Sequence, residues 1–165
     1  MALVIEDGTS KSDAESFVTL VEARDFASKR GLSLPDDDTE AEQLLRKAAD
    51  FFRSLSFQGV KSSRSQALAF PRSGMIVDGE AVPEDEIPVG VKYAQIQLAV
   101  DVQTTALLPT GAGREVIKEK VDVIEVEYAP TGATSIQPVF NEALAWLEDY
   151  LDGGSFGINA SIVRG

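Results

Sequence analysis

The chain has 165 residues, enough for one domain that buries roughly two-thirds of the surface its unfolded form exposes. Hydrophobic residues make up 44% and charged residues 25%, the balance of an ordinary soluble globular protein. With no Cys and no His, disulfides, thiolate metal sites and the commonest general base are excluded, and a net charge of −12 sets the overall field against a polyanion.

Residues 1–8 (Met-Ala-Leu-Val-Ile-Glu-Asp-Gly) carry no basic segment and turn acidic after a short apolar run, so they do not read as a signal peptide. Residues 2–5 suit a short strand before a turn at Asp7-Gly8. Residues 16–19 (Ser-Phe-Val-Thr) are β-branched and aromatic enough to be extended. Thr19 with Glu22 offers a capping box, preferred to Ser12 with Glu15, and Val18 is placed to staple onto Ala23. A helix then runs from about Leu20 to Lys29 and ends at Gly31. Leu32 to Asp38 is a linker that turns at Pro35. Its aspartates, Asp36 to Asp38, lack the alternate spacing, central Gly and closing Glu of a calcium loop; they suit a solvated loop before a helix N-terminus. Thr39 with Glu42 offers a further capping box, opening a helix over 40–56 with the apolar face Ala41, Leu44, Leu45, Ala48, Phe51, Phe52 and Leu55.

Residues 57–65 form a small polar segment holding Lys61 and Arg64, which with Arg72 are the basic residues placed to make a patch. Ile76-Val77 and Ala81-Val82 flank Asp78-Gly79, a step that favours a tight hairpin because both residues tolerate positive φ. Glu84-Asp85-Glu86 then precedes a helix over 88–105 opened by Pro88. Ile87, Val91, Ala94, Leu98, Val102 and Thr105 make one apolar stripe, and Tyr93, Ile96 and Val100 make a second, nearly opposite. A surface helix needs one stripe, so this helix is predicted to be central and covered on both sides.

Thr110-Gly-Ala-Gly-Arg114 reads as a connector, since no strand–loop–helix context makes it a phosphate loop. Residues 115–128 predict a hairpin in which Val121 meets Ile124, Lys120 faces Glu125, Lys118 faces Glu127 and Ile117 faces Tyr128. Pro138 opens a last helix carrying Val139, Phe140, Ala143, Leu144, Trp146, Leu147, Tyr150 and Leu151, and ending at Gly153-Gly154. The expected fold is mainly α with small β-hairpins (α+β): about four helices around the central one, hairpins near 75–83 and 115–128, one domain over 1–154 and an extended tail over 155–165. Apolar Phe156, Ile158, Ile162 and Val163 suit that tail to docking on a partner. No nucleophile elbow, phosphate loop or dinucleotide fingerprint is present, so the expectation is no enzyme, no cofactor and no metal. No apolar run approaches the ~20 residues that cross a bilayer, so no membrane partner is expected either.

Six stretches carry a family resemblance: residues 2–9 (Ala-Leu-Val-Ile-Glu-Asp-Gly-Thr), 16–27 (Ser-Phe-Val-Thr-Leu-Val-Glu-Ala-Arg-Asp-Phe-Ala), 66–74 (Gln-Ala-Leu-Ala-Phe-Pro-Arg-Ser-Gly), 87–94 (Ile-Pro-Val-Gly-Val-Lys-Tyr-Ala), 118–121 (Lys-Glu-Lys-Val) with 124–128 (Ile-Glu-Val-Glu-Tyr), and 163–165 (Val-Arg-Gly). Together they span nearly the whole chain and resemble a tailed-phage family labelled DnaT-like single-stranded-DNA-binding proteins. Phe70 departs from the pattern, which more often has Trp before Pro-Arg. The opening helix and the Ile-Pro-x-x-Val-Lys-x-Ala helix are also similar to the head–tail connector (adaptor) proteins of tailed phages. That second resemblance implies a structural virion protein of the neck, assembled in the host cytoplasm as a homo-oligomeric ring of about twelve copies under the portal. It implies the portal and a tail-side neck or tail-terminator protein as partners, with genomic DNA passing through without specific binding. Tyr93, Ile96 and Val100 would then form the subunit interface, and Phe156, Ile158, Ile162, Val163 and Arg164 the portal contact. The first resemblance implies a DNA groove of basic and aromatic residues, with Lys61, Arg64, Phe70 and Arg72 as candidates.

Overall fold

The computed structural model describes residues 3–105, 107, 116–120, 125–128 and 140–152. Among them are four helices, α1 (Leu20–Lys29), α2 (Asp38–Phe51), α3 (Val89–Asp101) and α4 (Asn141–Ala145). Three antiparallel two-stranded hairpins accompany them: β1 (Val60–Lys61) with β2 (Arg72–Ser73), β3 (Ile76–Val77) with β4 (Glu80–Ala81), and β5 (Val116–Lys120) with β6 (Glu125–Tyr128). This is the mainly helical α+β architecture that the periodicity predicts.

Helix α3 lies at the centre, with α1, α2 and α4 all packed against it. Residues 94–99 are buried without interruption, and six successive residues sweep more than a full helical turn, so no face there is left to water. The second stripe, expected to meet a neighbouring subunit, is used inside the chain instead. Ile96 is 2% exposed, and Tyr93 and Val100 pack partly buried against the core. The Tyr93 ring centroid lies 4.6 Å from that of Phe26 and 5.1 Å from that of Trp146.

Helix α1 starts where its capping box places it. The Glu22 N–H donates to the Thr19 hydroxyl at 3.2 Å, and the Thr19 N–H donates to the Glu22 carboxylate at 2.8 Å. Helix α2 starts earlier than its Thr39 box suggests, because the Asp37 carboxylate accepts from the Glu40 N–H at 2.8 Å and takes the capping role first. Arg24 fixes that turn by donating to the carbonyls of Pro35 and Asp36 and pairing with Asp38 at 2.7 Å. After Phe51 the helix tightens into a 3-10 turn, Phe52–Ser54, short of the expected end at 56.

The Asp78-Gly79 hairpin forms as read, with φ of 52° and 84° at its two turn residues and Ile76 opposite Ala81. In the β5–β6 hairpin Lys120 is opposite Glu125 as expected, but Val116, not Ile117, is opposite Tyr128. A register shift between Val116 and Glu119 accounts for the difference. Of the strand expected over 2–5, the described residues 3–5 show one parallel bridge, Ile5 to Ser16. The last helix is one short turn followed by a 3-10 turn at Glu148–Tyr150, and Phe140, Ala143, Leu144, Leu147 and Leu151 are its buried side. Pro138, Val139 and the tail residues Phe156, Ile158, Ile162, Val163 and Arg164 lie outside the described residues.

Two consequences are testable. Gly90 sits where α3 meets the α4 segment, and a Cβ there would overlap the Trp146 carbonyl oxygen and lie 2.8 Å from Cε2 of Tyr150. Gly90→Ala is expected to cost about 1–3 kcal/mol by overpacking, read as a lower urea midpoint. The bonds from Thr19 lower the Glu22 pKa below its ordinary 4.5, so its contribution is present above that value and is lost as pH falls through the folded pKa. Glu22→Gln is expected to flatten the fall in thermal midpoint on acidification below about pH 4.5, measured by circular dichroism.

Candidate nucleic-acid interface

The segment from Phe57 to Ser73 is tied together by polar side chains turned inward. Gln66, 4% exposed, accepts from the Ser63 N–H at 2.9 Å and donates to the carbonyls of Leu68 and Pro71 at 3.1 and 3.0 Å. Phe70, joined to Pro71 by a cis peptide, is fully buried, with ring centroids of Phe57, Phe17 and Tyr150 at 4.8, 6.1 and 6.4 Å. It is a core aromatic, and its expected contact with DNA is corrected on that ground: a base has no face of it to stack on.

Arg72 has a second unexpected role. Its Nε–H donates to the Gln58 carbonyl at 2.7 Å, and its terminal N–H groups donate to the carbonyls of Gly59 at 2.8 Å and of Ala69 and Phe57 at 3.3 Å. Four of its five N–H groups are thereby spent on backbone, and burial pushes its pKa down. The residue holds the two arms of the segment together and still brings its charge to the hairpin. Gly59, at φ 65°, makes the closing turn possible, since a Cβ there would overlap the Ser73 carbonyl.

Lys61 is the cross-strand partner of Arg72. Partial burial, then the nearby charges of Arg53 and Arg72, push its pKa down. Arg64 is exposed on the adjoining Ser63–Ser65 turn, and Arg53 is exposed on the 3-10 turn after α2. Among the described residues no carboxylate lies within 4.0 Å of Arg53, Lys61, Arg64 or Arg72. Lys61, Arg53 and Arg72 are thus one basic cluster, and Arg53 was hidden in the sequence inside a predicted helix. Val60 and Ile76, 66% and 58% exposed, stand beside it, and the acidic bend at 84–86 adjoins it through the Ser62 hydroxyl, which donates to the Glu84 carbonyl at 2.6 Å.

A second group lies between α1, α3 and α4. The Arg30 guanidinium carbon sits 3.7 Å from the Phe26 ring centroid, 5.1 Å from that of Tyr93 and 5.7 Å from that of Trp146. Beside it is a cavity of about 580 Å³ lined by Arg30, Leu32, Gln97, Glu142, Ala145 and Trp146. Burial, and after it the charge of Glu142, raise the pKa of nearby Asp101, while the hydrogen bond from Gln97 lowers it. Sequence reasoning missed this group because its residues come from three separate elements. Among the described residues no cluster of three carboxylates is placed to hold a metal, and no helix is long and apolar enough to cross a membrane.

The family model described as "Putative DnaT-like ssDNA binding protein" matches residues 1–165, and the chain belongs to that family. No curated protein and no solved structure shows significant similarity to the chain. The whole-chain match supports the first of the two resemblances and overturns the second. A head–tail connector ring, a portal partner and DNA passing through unbound have no support beside it.

The basic cluster itself predicts a trade-off. Lys61 opposite Arg72 places like charges directly across a strand pair, which costs stability. Lys61→Met is expected to leave the thermal midpoint equal or higher, by differential scanning calorimetry, and a clear fall would show that the lysine is held by a favourable partner.

Proposed function

We propose that this chain binds single-stranded DNA through the β1–β2 hairpin, as the name of its family describes. Lys61, Arg64 and Arg53 meet phosphates, and Arg72 keeps the hairpin in the shape that presents them. The observation that carries this reading is the juxtaposition of Lys61 with Arg72 and Arg53, with no carboxylate of the described residues within 4.0 Å. Like charges gathered without counter-ions are unfavourable in the free protein and favourable once an anion arrives. A basic groove that tracks a backbone is the electrostatic part of single-strand binding, and it needs no particular sequence.

The charge of −12 is no obstacle at contact range. In about 0.1 M salt the Debye length is roughly 10 Å, so distant carboxylates are screened while the local cluster is not. Net charge instead lowers the association rate and keeps the affinity modest.

The test is the anisotropy of a labelled oligothymidine titrated with protein over a range of salt concentrations. Replacing Arg53, Lys61 and Arg64 together by Ala is expected to weaken binding about tenfold or more. It should also reduce the slope of log K against log salt by about 2, since each phosphate contact on a single strand contributes about 0.7. Arg72 stays unchanged in this variant, because its loss would unfasten the segment and confound the result. An unchanged slope would overturn the assignment.

A further inference from the structure

We propose that the cavity between α1, α3 and α4 takes one guanine base of a bound single strand, stacked on Trp146 beside Arg30 and read by Glu142 and Gln97. The ligand's class rests on the single-strand reading above; the choice of base rests on the cavity. At about 580 Å³ it lies within the range of small-ligand sites and has room for a purine. Of the three rings around Arg30, Phe26 is only 4% exposed, whereas Trp146 is 38% exposed and is the ring with surface to offer. The Arg30 guanidinium carbon lies over the Phe26 ring at 3.7 Å, and no carboxylate of the described residues is within 4.0 Å of the guanidinium. A base that stacks on the indole therefore meets a cation at its side, to which the adjoining phosphate can turn.

The polar lining selects among bases. Gln97 is 5% exposed, and one N–H of its amide donates to Asp101 at 3.1 Å, which leaves its second N–H and its carbonyl oxygen to a ligand. The Glu142 carboxylate offers acceptors. The two oxygens of that carboxylate call for two adjacent donors, and guanine alone presents them, as N1–H beside the N2 amino group, with O6 next to them to accept from the second N–H of Gln97. Adenine and cytosine place an acceptor next to their amino group, and thymine's single N3–H lies between two carbonyls. The same carboxylate repels phosphate, so the backbone is kept to the Arg30 side of the cavity.

Trp146 is the only tryptophan of the chain, so intrinsic fluorescence reports on this cavity directly. Three labelled strands are compared: oligothymidine, the same strand with one central dG, and the same strand with an abasic site there. Anisotropy reads strand binding and tryptophan quenching reads stacking. The expected result is quenching by the dG strand with an affinity about tenfold above oligothymidine, and none of that gain with the abasic strand. Glu142→Gln, at an exposed position, should bring the dG strand down to the affinity of oligothymidine, and Trp146→Phe should weaken it while retaining a ring. Strands that bind by anisotropy with no quenching and no preference for dG would overturn the base site and leave strand binding intact. No anisotropy change with any strand would overturn both.

Discussion

Everything in this fold follows from the burial of α3 on all sides. A helix so enclosed must satisfy its polar residues within the protein, and Gln95, with no exposed surface, does so completely. Its carbonyl accepts from the Phe17 N–H at 2.9 Å, and its amide donates to the Ser16 hydroxyl at 2.8 Å and the Leu45 carbonyl at 2.9 Å. The chain before α1 and the middle of α2 are thereby fixed to one side chain of α3. Phe17 then opens an aromatic series, stacked on Phe52 at 5.6 Å and edge-on to Phe70 at 6.1 Å, with Phe57 completing it at 4.8 Å from Phe70. Phe57 and Phe70 are the roots of the two arms that Arg72 clasps, so the basic hairpin stands on the core by a continuous line of contacts.

That line explains which parts were legible in the sequence. The Thr19–Glu22 capping box, the Asp78-Gly79 turn and the two stripes of α3 are local or periodic signals, and each is decided within a few residues. Phe70 was not legible in that way. Standing between Ala69 and Pro71-Arg72 it looks like an exposed platform, and only Phe17, Phe57 and Tyr150, distant in sequence, put it inside. Arg72 has the same difficulty, because nothing near it in the chain says whether its N–H groups will meet phosphate or the carbonyls of Phe57, Gln58, Gly59 and Ala69. Trp146 read as one more apolar position of a core or interface helix, although the helix ends just before it and leaves the indole 38% exposed.

The connector expectation failed for a related reason. It rested on two short stretches, the opening helix and the Ile-Pro-x-x-Val-Lys-x-Ala helix, with the net charge of −12 taken in its support, whereas the family match extends over residues 1–165. The acidic bend at 84–86 adjoins the hairpin, but the ion pairs Lys11–Asp7, Arg24–Asp38, Lys29–Asp25, Arg46–Glu15 and Arg46–Glu42 all lie away from it. Local like-charge crowding is the signal on which the proposal for the hairpin rests, and it appears only once Arg53, Lys61 and Arg72 are brought together by the fold.

The two candidate sites are mechanically one unit. The segment 146–152 lines the cavity with Trp146 and then crosses to the root of the hairpin, where Phe57 bridges to Leu151. There the Gln58 N–H donates to the Tyr150 carbonyl at 2.9 Å, the Gln58 amide donates to the Asp149 carbonyl at 2.9 Å, and the Asp152 N–H donates to the Ser56 carbonyl at 2.9 Å. Gly90 lets α3 approach the same segment closely, and Tyr150 reaches Phe70 beneath the hairpin. A base held at Trp146 and a phosphate held at Lys61 would therefore be separated by a stiff, hydrogen-bonded span rather than by a loop. A stiff span fixes the distance between the two contacts, so the second is made with little further loss of freedom once the first is in place. Modest individual contacts on an acidic protein can in that way add up to useful affinity for a strand long enough to reach both.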